Sequence, residues 1–372
     1  MRITHIITDL YTGGAEIMLY KLLKSLQDET IESSVISLMG RGKITKQIEA
    51  LGIKVETLDL EQGELPSWQT IKKLRKFMLA FNPDIAQGWM YHGNIAATVA
   101  VFLFKPIRRK VKLFWNVRQT LYDIKKEKQQ TKWVIYLSRW LSVFSTSVIY
   151  NSTVSMQQHN KIGFLKRNSL MIPNGFDLQK FFPDQERRQQ LRKDLGIAKN
   201  TLLVGHISRF HPMKDHVTLL RAIDRVMENI SDSNGKQEVI FLLIGNGLTS
   251  ALSTNPAIRF LGERADISNI MSALDILVSS SAWGEGFPNV IGEAMASEVP
   301  CVVTDVGDSA YIVGDYGVVC PVRDGKCIAD SMMQLIENRQ QRKTMGQQAR
   351  QRIKQNYSMD KIKKEYLQVW GF

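Results

Sequence analysis

The stretch Met171–Asp184, "MIPNGFDLQKFFPD", decides how this chain is divided. Pro173 disfavours helix at the residue before it, Asn174-Gly175 is a turn signal, and Pro183 closes the segment. Upstream, "RITHIIT", "ESSVISL", "IKVETLDL", "PDIAQGW", "KLFWNV" and "TSVIYNS" read as short strands. Between them lie "AEIMLYKLLKSL", "ITKQIEALG", "WQTIKKLRKFMLAF" and "YHGNIAATVAVF", whose apolar residues recur at helical spacing. Downstream the alternation restarts. "TLLVGHIS", "EVIFLLIG", "AIRFLG", "DILVSS" and "PCVVTD" read as strands, with "DHVTLLRAIDRVMENI", "ISNIMSALD", "NVIGEAMA" and "GKCIADSMMQLIEN" as helices. Strand–helix alternation of this kind predicts parallel sheets covered by helices on both faces. The expected fold is α/β, with two Rossmann-like domains over residues 1–172 and 173–356. Residues 357–372 form a closing helix that crosses back to the first domain. Two such units leave a cleft, and ligands in these sheets bind beyond the carboxyl ends of the strands.

Composition narrows the function. With 372 residues, 44% of them hydrophobic, the chain can fill two ordinary cores. Cys301, Cys320 and Cys327 form neither a metal-spaced pair nor an even disulfide set, which fits free thiols in a reducing cytoplasm. "MRITHIITDLYTGG" lacks the apolar run and cleavage site of a signal peptide, and "NIAATVAVFLF" is too short to span a bilayer. The net charge of +13 is lopsided: up to Ile172 there are 25 Lys and Arg against 13 Asp and Glu, and beyond it 24 against 23. "KPIRRKVK" and "KKEKQQTK" supply much of the excess. A basic surface of this kind fits a nucleic acid, phospholipid headgroups or a phosphorylated substrate, or is a solvated face with no partner.

Three segments carry chemistry. "TDLYTGGAE" runs from strand through Gly13-Gly14 into a helix, which makes either a plain tight turn or a phosphate-approaching one. In "GHISRFHPMKDH", Arg209 and Lys214 lie in a loop after a strand, a planar fork and a mobile point charge suited to a diphosphate. In "SSSAWGEGFPNVIGEAM", Glu285 precedes a helix expected to start near Pro288, and Glu293 lies inside it. The N–H groups of Phe287, Asn289 and Val290 would face an anion there, aided by the helix dipole. At roughly 1.5 Å per residue, Glu293 lies some 7 to 8 Å beyond Pro288. The two carboxylates therefore bracket the anion, and sugar hydroxyls are the natural donors to them.

"GGAE", "IPNGFD", "SRFHPMKDH", "LLIGNG", "FLGERADI", "EGFPNVIGEAMA" and "VPCVVTDVGDSAYIV" stand in order along nearly the whole chain. Together they resemble the GT-B retaining glycosyltransferases of family GT4, particularly those of bacterial capsule, exopolysaccharide and O-antigen assembly, whose marker is the E-x7-E element. The resemblance implies that Arg209 and Lys214 neutralise the donor diphosphate as it leaves. It implies that Glu293 holds the ribose hydroxyls and Glu285 those of the transferred sugar at the reacting centre. Gly286, Phe287, Pro288, Asn289 and Val290 would cradle phosphate and sugar through the backbone, with Gly13 and Gly14 approaching the phosphate from the first domain. Glu263 and Arg264 of "GER" would meet the base mainly through backbone groups. His92 of "WMYHGN" matches a histidine placed near the reacting centre. Many relatives carry a histidine after the next strand where this chain has "WNVRQT", so Asn116 and Arg118 are expected to grip an acceptor phosphate.

The implied reaction moves a sugar from a UDP-sugar to a glycan or polyprenyl-diphosphate-linked acceptor, with retention. The sequence has no D-x-D, so neither a metal nor another cofactor is expected. "KWVIYLSRWLSVF" places Trp133, Leu137, Trp140, Leu141 and Phe144 on one helical face. That face either packs on the core or rests on an anionic inner leaflet, which would make a cytoplasmic protein peripheral to the membrane. Two other classes are weighed. A UDP-sugar epimerase of the same architecture would turn over donor without acceptor. A non-catalytic polyanion binder would explain the charge, but no nucleic-acid signature is present and "EGFPNVIGE" would go unexplained.

Overall fold

The computed structural model describes residues 1–104, 111–122, 124, 128–232 and 237–372, the side chains of 104 and 232 excepted. The basic segments 105–110 and 125–127 lie outside the described residues. The chain divides into two compact units: Met1–Gly175 with Met359–Phe372, and Phe176–Ser358.

In the first unit the elements run β1 (Arg2–Ile7), α1 (Gly14–Ser25), β2 (Glu32–Ser37), α2 (Lys43–Glu49), β3 (Lys54–Thr57), α3 (Trp68–Phe81), β4 (Ile85–Trp89), α4 (Met90–Phe104), β5 (Lys112–Val117), α5 (Gln129–Leu141), β6 (Ser147–Tyr150), α6 (Thr153–Lys161) and β7 (Ser169–Met171). All strand pairs in the sheet are parallel, in the order β3-β2-β1-β4-β5-β6-β7. The second unit runs α7 (Gln185–Asp194), β8 (Leu202–Ile207), α8 (His216–Asp232), β9 (Val239–Ile244), β10 (Ile258–Gly262), α9 (Ile267–Ala273), β11 (Ile276–Ser279), α10 (Asn289–Ala296), β12 (Cys301–Thr304), α11 (Ser309–Val313), β13 (Val318–Cys320), α12 (Gly325–Glu337) and α13 (Arg339–Asn356). Its sheet is parallel too, ordered β10-β9-β8-β11-β12-β13. The last helix, α14 (Met359–Trp370), belongs to the first unit.

Each sheet is buried on both faces, which is why its strands read as continuous apolar runs. Ile3 and Ile7 of β1 join one cluster and Ile6 the other, as a side-chain period of two requires. On β9 the split is Ile240, Leu242 and Ile244 against Val239, Phe241 and Leu243. α14 buries Ile362, Tyr366 and Trp370, at steps of four, against the β1–β4–β5 face. Trp370 donates its indole N–H to Gln87 Oε1 at 2.8 Å. In the second unit Asp275 holds the polar helix α7 by accepting from both Arg188 and Arg192 at 2.6 Å. Among the described residues no helix is long and apolar enough to cross a membrane.

Candidate active site

The chemistry-bearing loops of the second unit follow the carboxyl ends of β8, β11 and β12, where an open parallel sheet presents its connections. Between β8 and α8, His211 caps a single 3-10 turn, Pro212–Lys214, by accepting from the Met213 N–H. Lys214 emerges from that turn and pairs with Glu285, both side chains being largely buried. The same Glu285 oxygen, Oε1, accepts from the Ser281 hydroxyl at 2.7 Å. Among the described residues nothing hydrogen-bonds Oε2. Glu285 thus holds a lysine with one oxygen and keeps the other for an outside donor.

Backbone contacts lock the two loops. The Ala282 N–H donates to the Met213 carbonyl at 2.8 Å, and Ser280 Oγ to the Lys214 carbonyl at 2.8 Å. Thr304 at the end of β12 donates to the Ser281 carbonyl at 2.6 Å. Gly307, at φ +60°, passes so close to the Glu285 and Gly286 carbonyls that a Cβ would strike both. Asp308 then donates its N–H to Gly286 at 2.8 Å.

A buried relay underlies the basic loop. His206 Nδ1 lies 3.0 Å from the Val278 carbonyl, which can only accept, so its Nε2 is the acceptor. Ser208 Oγ donates to that Nε2 at 2.9 Å and accepts from His216 Nε2 at 3.1 Å. Burial keeps both rings neutral, pushing His206 down to about 3 and His216 to about 4, with the Lys214 charge adding to each shift. Arg209, one residue on, is exposed, and among the described residues no hydrogen bond or ion pair engages its guanidinium.

Pro288 is the N-cap, and α10 begins at Asn289, within one residue of the expected start. The Ile291 N–H is already used by the Pro288 carbonyl at 3.2 Å. The Phe287 ring is core, stacked on Phe176 with centroids 6.1 Å apart, so only its backbone faces the loop. Val290 is half-buried, and Glu293 is half-buried one turn into α10. The Arg264 guanidinium is committed to Asp266 at 2.8 and 2.7 Å, while Glu263 is exposed. Any contact of Arg264 with a ligand would fall to its backbone.

In the first unit, Gly13 is the extended N-cap of α1 and Gly14 its first residue. The Glu16 side chain folds back over Gly13, and partial burial raises its carboxyl above the usual range. His92 lies in the first turn of α4, within the segment read as helical, exposed and just after Met90 at φ +63°. Left-handed backbone is costly for a Met and marks a tightly determined turn at the end of β4. Desolvation lowers the His92 imidazole below the ordinary histidine value.

Asn116 and Arg118 both make internal contacts within the first unit. Asn116 is wholly buried in β5 and donates its amide to Tyr366 OH at 2.7 Å. Arg118 donates to the same hydroxyl at 2.9 Å and to Asn174 Oδ1 at 2.9 Å, and lies over the Trp89 ring. Both side chains fasten α14 to the sheet, while Asn116 Oδ1 and Arg118 Nε are buried with no hydrogen-bond partner among the described residues. Sequence reasoning also missed Ser208, His206, His216, Ser281 and Gly307, whose roles depend on contacts between segments far apart along the chain.

Residues 12–180 match the family model described as Glycosyltransferase Family 4, and residues 187–352 match Glycosyl transferases group 1. The chain belongs to these glycosyltransferases. The two matches part at 180–187, inside the segment that separates the sheets. Over 191 residues this family member is 27% identical to the N-acetyl-alpha-D-glucosaminyl L-malate synthase of Bacillus anthracis, covering 49% of this chain and 48% of that one. The chain thus spans about half the length of that relative. Over 276 residues it is 25% identical to the Escherichia coli UDP-Gal:alpha-D-GlcNAc-diphosphoundecaprenol alpha-1,3-galactosyltransferase, covering 68% and 69%. Among solved structures, Anabaena HepE in complex with UDP superposes with a TM-score of 0.83 over 99% of both chains, at 23% identity. That likeness places the glycosyltransferase in the GT-B fold class.

Proposed function

We propose that this chain transfers a sugar from a UDP-sugar to a lipid-linked or glycan acceptor of bacterial surface-polysaccharide assembly, retaining the anomeric configuration and using no metal or other cofactor. The observation that carries the reading is the Lys214–Glu285–Ser281 cluster in the loops before α8 and α10, with the unengaged Arg209 on the same β8–α8 connection as Lys214. In the transfer, the bond from the anomeric carbon to the diphosphate breaks, and a bond to the acceptor oxygen forms. Charge builds on the departing diphosphate, and fixed donors placed before the reaction stabilise it. Arg209 supplies a planar fork for phosphate oxygens, and Lys214 a point charge whose direction Glu285 sets. Glu285 Oε2 accepts from a hydroxyl of the moving sugar, Glu293 from the ribose, and the backbone of Gly286 to Val290 lies along the phosphates. Gly13, Gly14 and the backbone at Glu263 and Arg264 complete donor recognition, and His92 acts near the reacting carbon.

The donor class is supported by the UDP named in the Escherichia coli relative and the HepE complex, and the acceptor class by the diphosphoundecaprenol in the same relative's name. UDP release from a panel of UDP- and GDP-sugars in EDTA, with extracted polyprenyl-linked glycans as acceptors, tests the reading. Acceptor-dependent release from a UDP-sugar is expected. Turnover without acceptor, or release only with added metal, would overturn it.

Work at the inner face of the cytoplasmic membrane is supported by the exposed face of α5. Trp133, Leu137 and Trp140 are 75%, 48% and 69% exposed, whereas Ile135 and Ser138 are the residues α5 buries. Phe144, also exposed, stands edge-on to Phe102 at 5.0 Å, and Leu141 is half-buried. With Lys132 and Arg139 on the same helix, this aromatic face fits an anionic bilayer. Trp133→Ser/Trp140→Ser should lose flotation with anionic vesicles at low salt; wild-type protein that fails to float would refute the contact.

A further inference from the structure

The three cysteines read from sequence as unrelated thiols. The structure leaves Cys301 buried alone in β12 but brings Cys320, at the end of β13, to Cys327, in the first turn of α12, with sulfurs 2.6 Å apart. A disulfide bond is about 2.05 Å long, so the sulfurs need to close by only about half an ångström to bridge. The connection has little freedom to drift. The Cys320 carbonyl accepts from Asp305 N–H at 2.9 Å in the sheet, and Asp324 caps α12 by accepting from the Cys327 N–H at 2.9 Å. We propose that Cys320 and Cys327 are an oxidation site, a dithiol that closes to an intrachain disulfide when it meets a low-molecular-weight disulfide.

The two sulfurs have different parts. Cys327 is partly exposed in the first turn of α12, where a small disulfide can reach its sulfur. Cys320 is buried, its thiol pushed up to about 12 by desolvation and by the neighbouring sulfur, with Ser331 Oγ 3.4 Å away. Cys327 thiolate attacks the small disulfide R–S–S–R, forming a mixed disulfide and releasing one R–S⁻. Cys320, losing its proton, then attacks Cys327 Sγ and expels the second R–S⁻. The two thiol protons end on the two released thiolates, so two cysteine thiols are oxidised and one small disulfide is reduced to two thiols.

The closed ring would contain residues 320 to 327, and Arg323 within it holds its guanidinium over the Trp283 ring at 6.0 Å, two residues before Glu285. Oxidation would therefore stiffen a segment that touches the Trp283–Glu285 loop. The proposal stands on the sulfur geometry and does not depend on the reaction proposed above.

The folded chain is incubated with oxidised glutathione, its remaining thiols are alkylated, and non-reducing peptide mass spectrometry is run. The expected product is a 320–327 linkage lighter by two hydrogens, about 2 Da, in wild type and in Cys301→Ser, and absent in Cys327→Ser. A Cys327→Ser protein held with glutathione on neither remaining thiol would mark Cys327 as the attacking sulfur. Recovery of both cysteines fully alkylated, or of a stable glutathione adduct on Cys327 with Cys320 still a thiol, would overturn the proposal. A thermal melt of each variant confirms that the folded form was tested.

Discussion

Lys214 and Glu285 carry the most direct structural prediction, because residues assigned to different parts of the donor are bonded to each other. Their side chains are 17% and 11% exposed. At a hydrogen-bonding separation of about 3 Å and an effective dielectric of about 20, the attraction is about 5 kcal/mol. Desolvating both groups takes back several kcal/mol. A net coupling of about 1–3 kcal/mol remains. Lys214→Met keeps the stem and removes the charge, leaving Glu285 with Ser281 alone; Glu285→Gln keeps the shape and removes the opposite charge. Urea unfolding of wild type, both single variants and the double variant gives the coupling from the double-mutant cycle. Each single change is expected to lower stability by about 1–3 kcal/mol, and the double by clearly less than their sum. Additivity within about 0.5 kcal/mol would refute the pair, because independent sites behave that way.

Tyr366→Phe removes the acceptor shared by Asn116 and Arg118 and should cost about 2–3 kcal/mol, read as a lower urea midpoint with an unchanged m-value. Gly307→Ala places a Cβ against two carbonyls at φ +60° and should lower stability by about 1–3 kcal/mol while disturbing Glu285; a melt equal to wild type would contradict the close approach. Burial holds His5 and His206 near 3 and His159 and His216 near 4. The unfolded chain therefore binds more protons between those values and about 6.5, so this stability is complete above about pH 6.5 and is lost on acidification. Each group contributes a slope of up to about 1.4 kcal/mol per pH unit, and a flat unfolding free energy from pH 7.5 to 5 would contradict it. Arg209→Ala should lower kcat by about 100-fold with little change in stability, since its guanidinium supports nothing internal; an equal loss of folding would show otherwise.

Most of the architecture was legible because both sheets are buried on two faces. Strands such as "EVIFLLIG" and "TSVIYNS" stand out as apolar runs against amphipathic helices, and "MIPNGFD" marks the change of unit to within a few residues. β7 and β13 escaped notice because three residues at a sheet edge are too few for any period to register. α7 escaped because "QERRQQLRKD" is polar nearly all round and is held by two arginines on Asp275, a long-range contact without a local signal. The candidate site was legible as residue types: cations after β8, and carboxylates before and inside α10. Its wiring was not. Nothing in "SSSAWGEG" tells that Ser281 and Lys214 share one oxygen of Glu285, and nothing in "WNVRQT" tells that Asn116 and Arg118 face a tyrosine 250 and 248 residues away.

Calorimetric titration of UDP into the purified chain in EDTA tests the central claim most directly. The account predicts saturable one-to-one binding without metal, weakened at least tenfold by Glu293→Gln and by Arg209→Ala, with both variants folded. Absence of UDP binding to the folded wild type, or affinity untouched by both substitutions, would contradict the donor site.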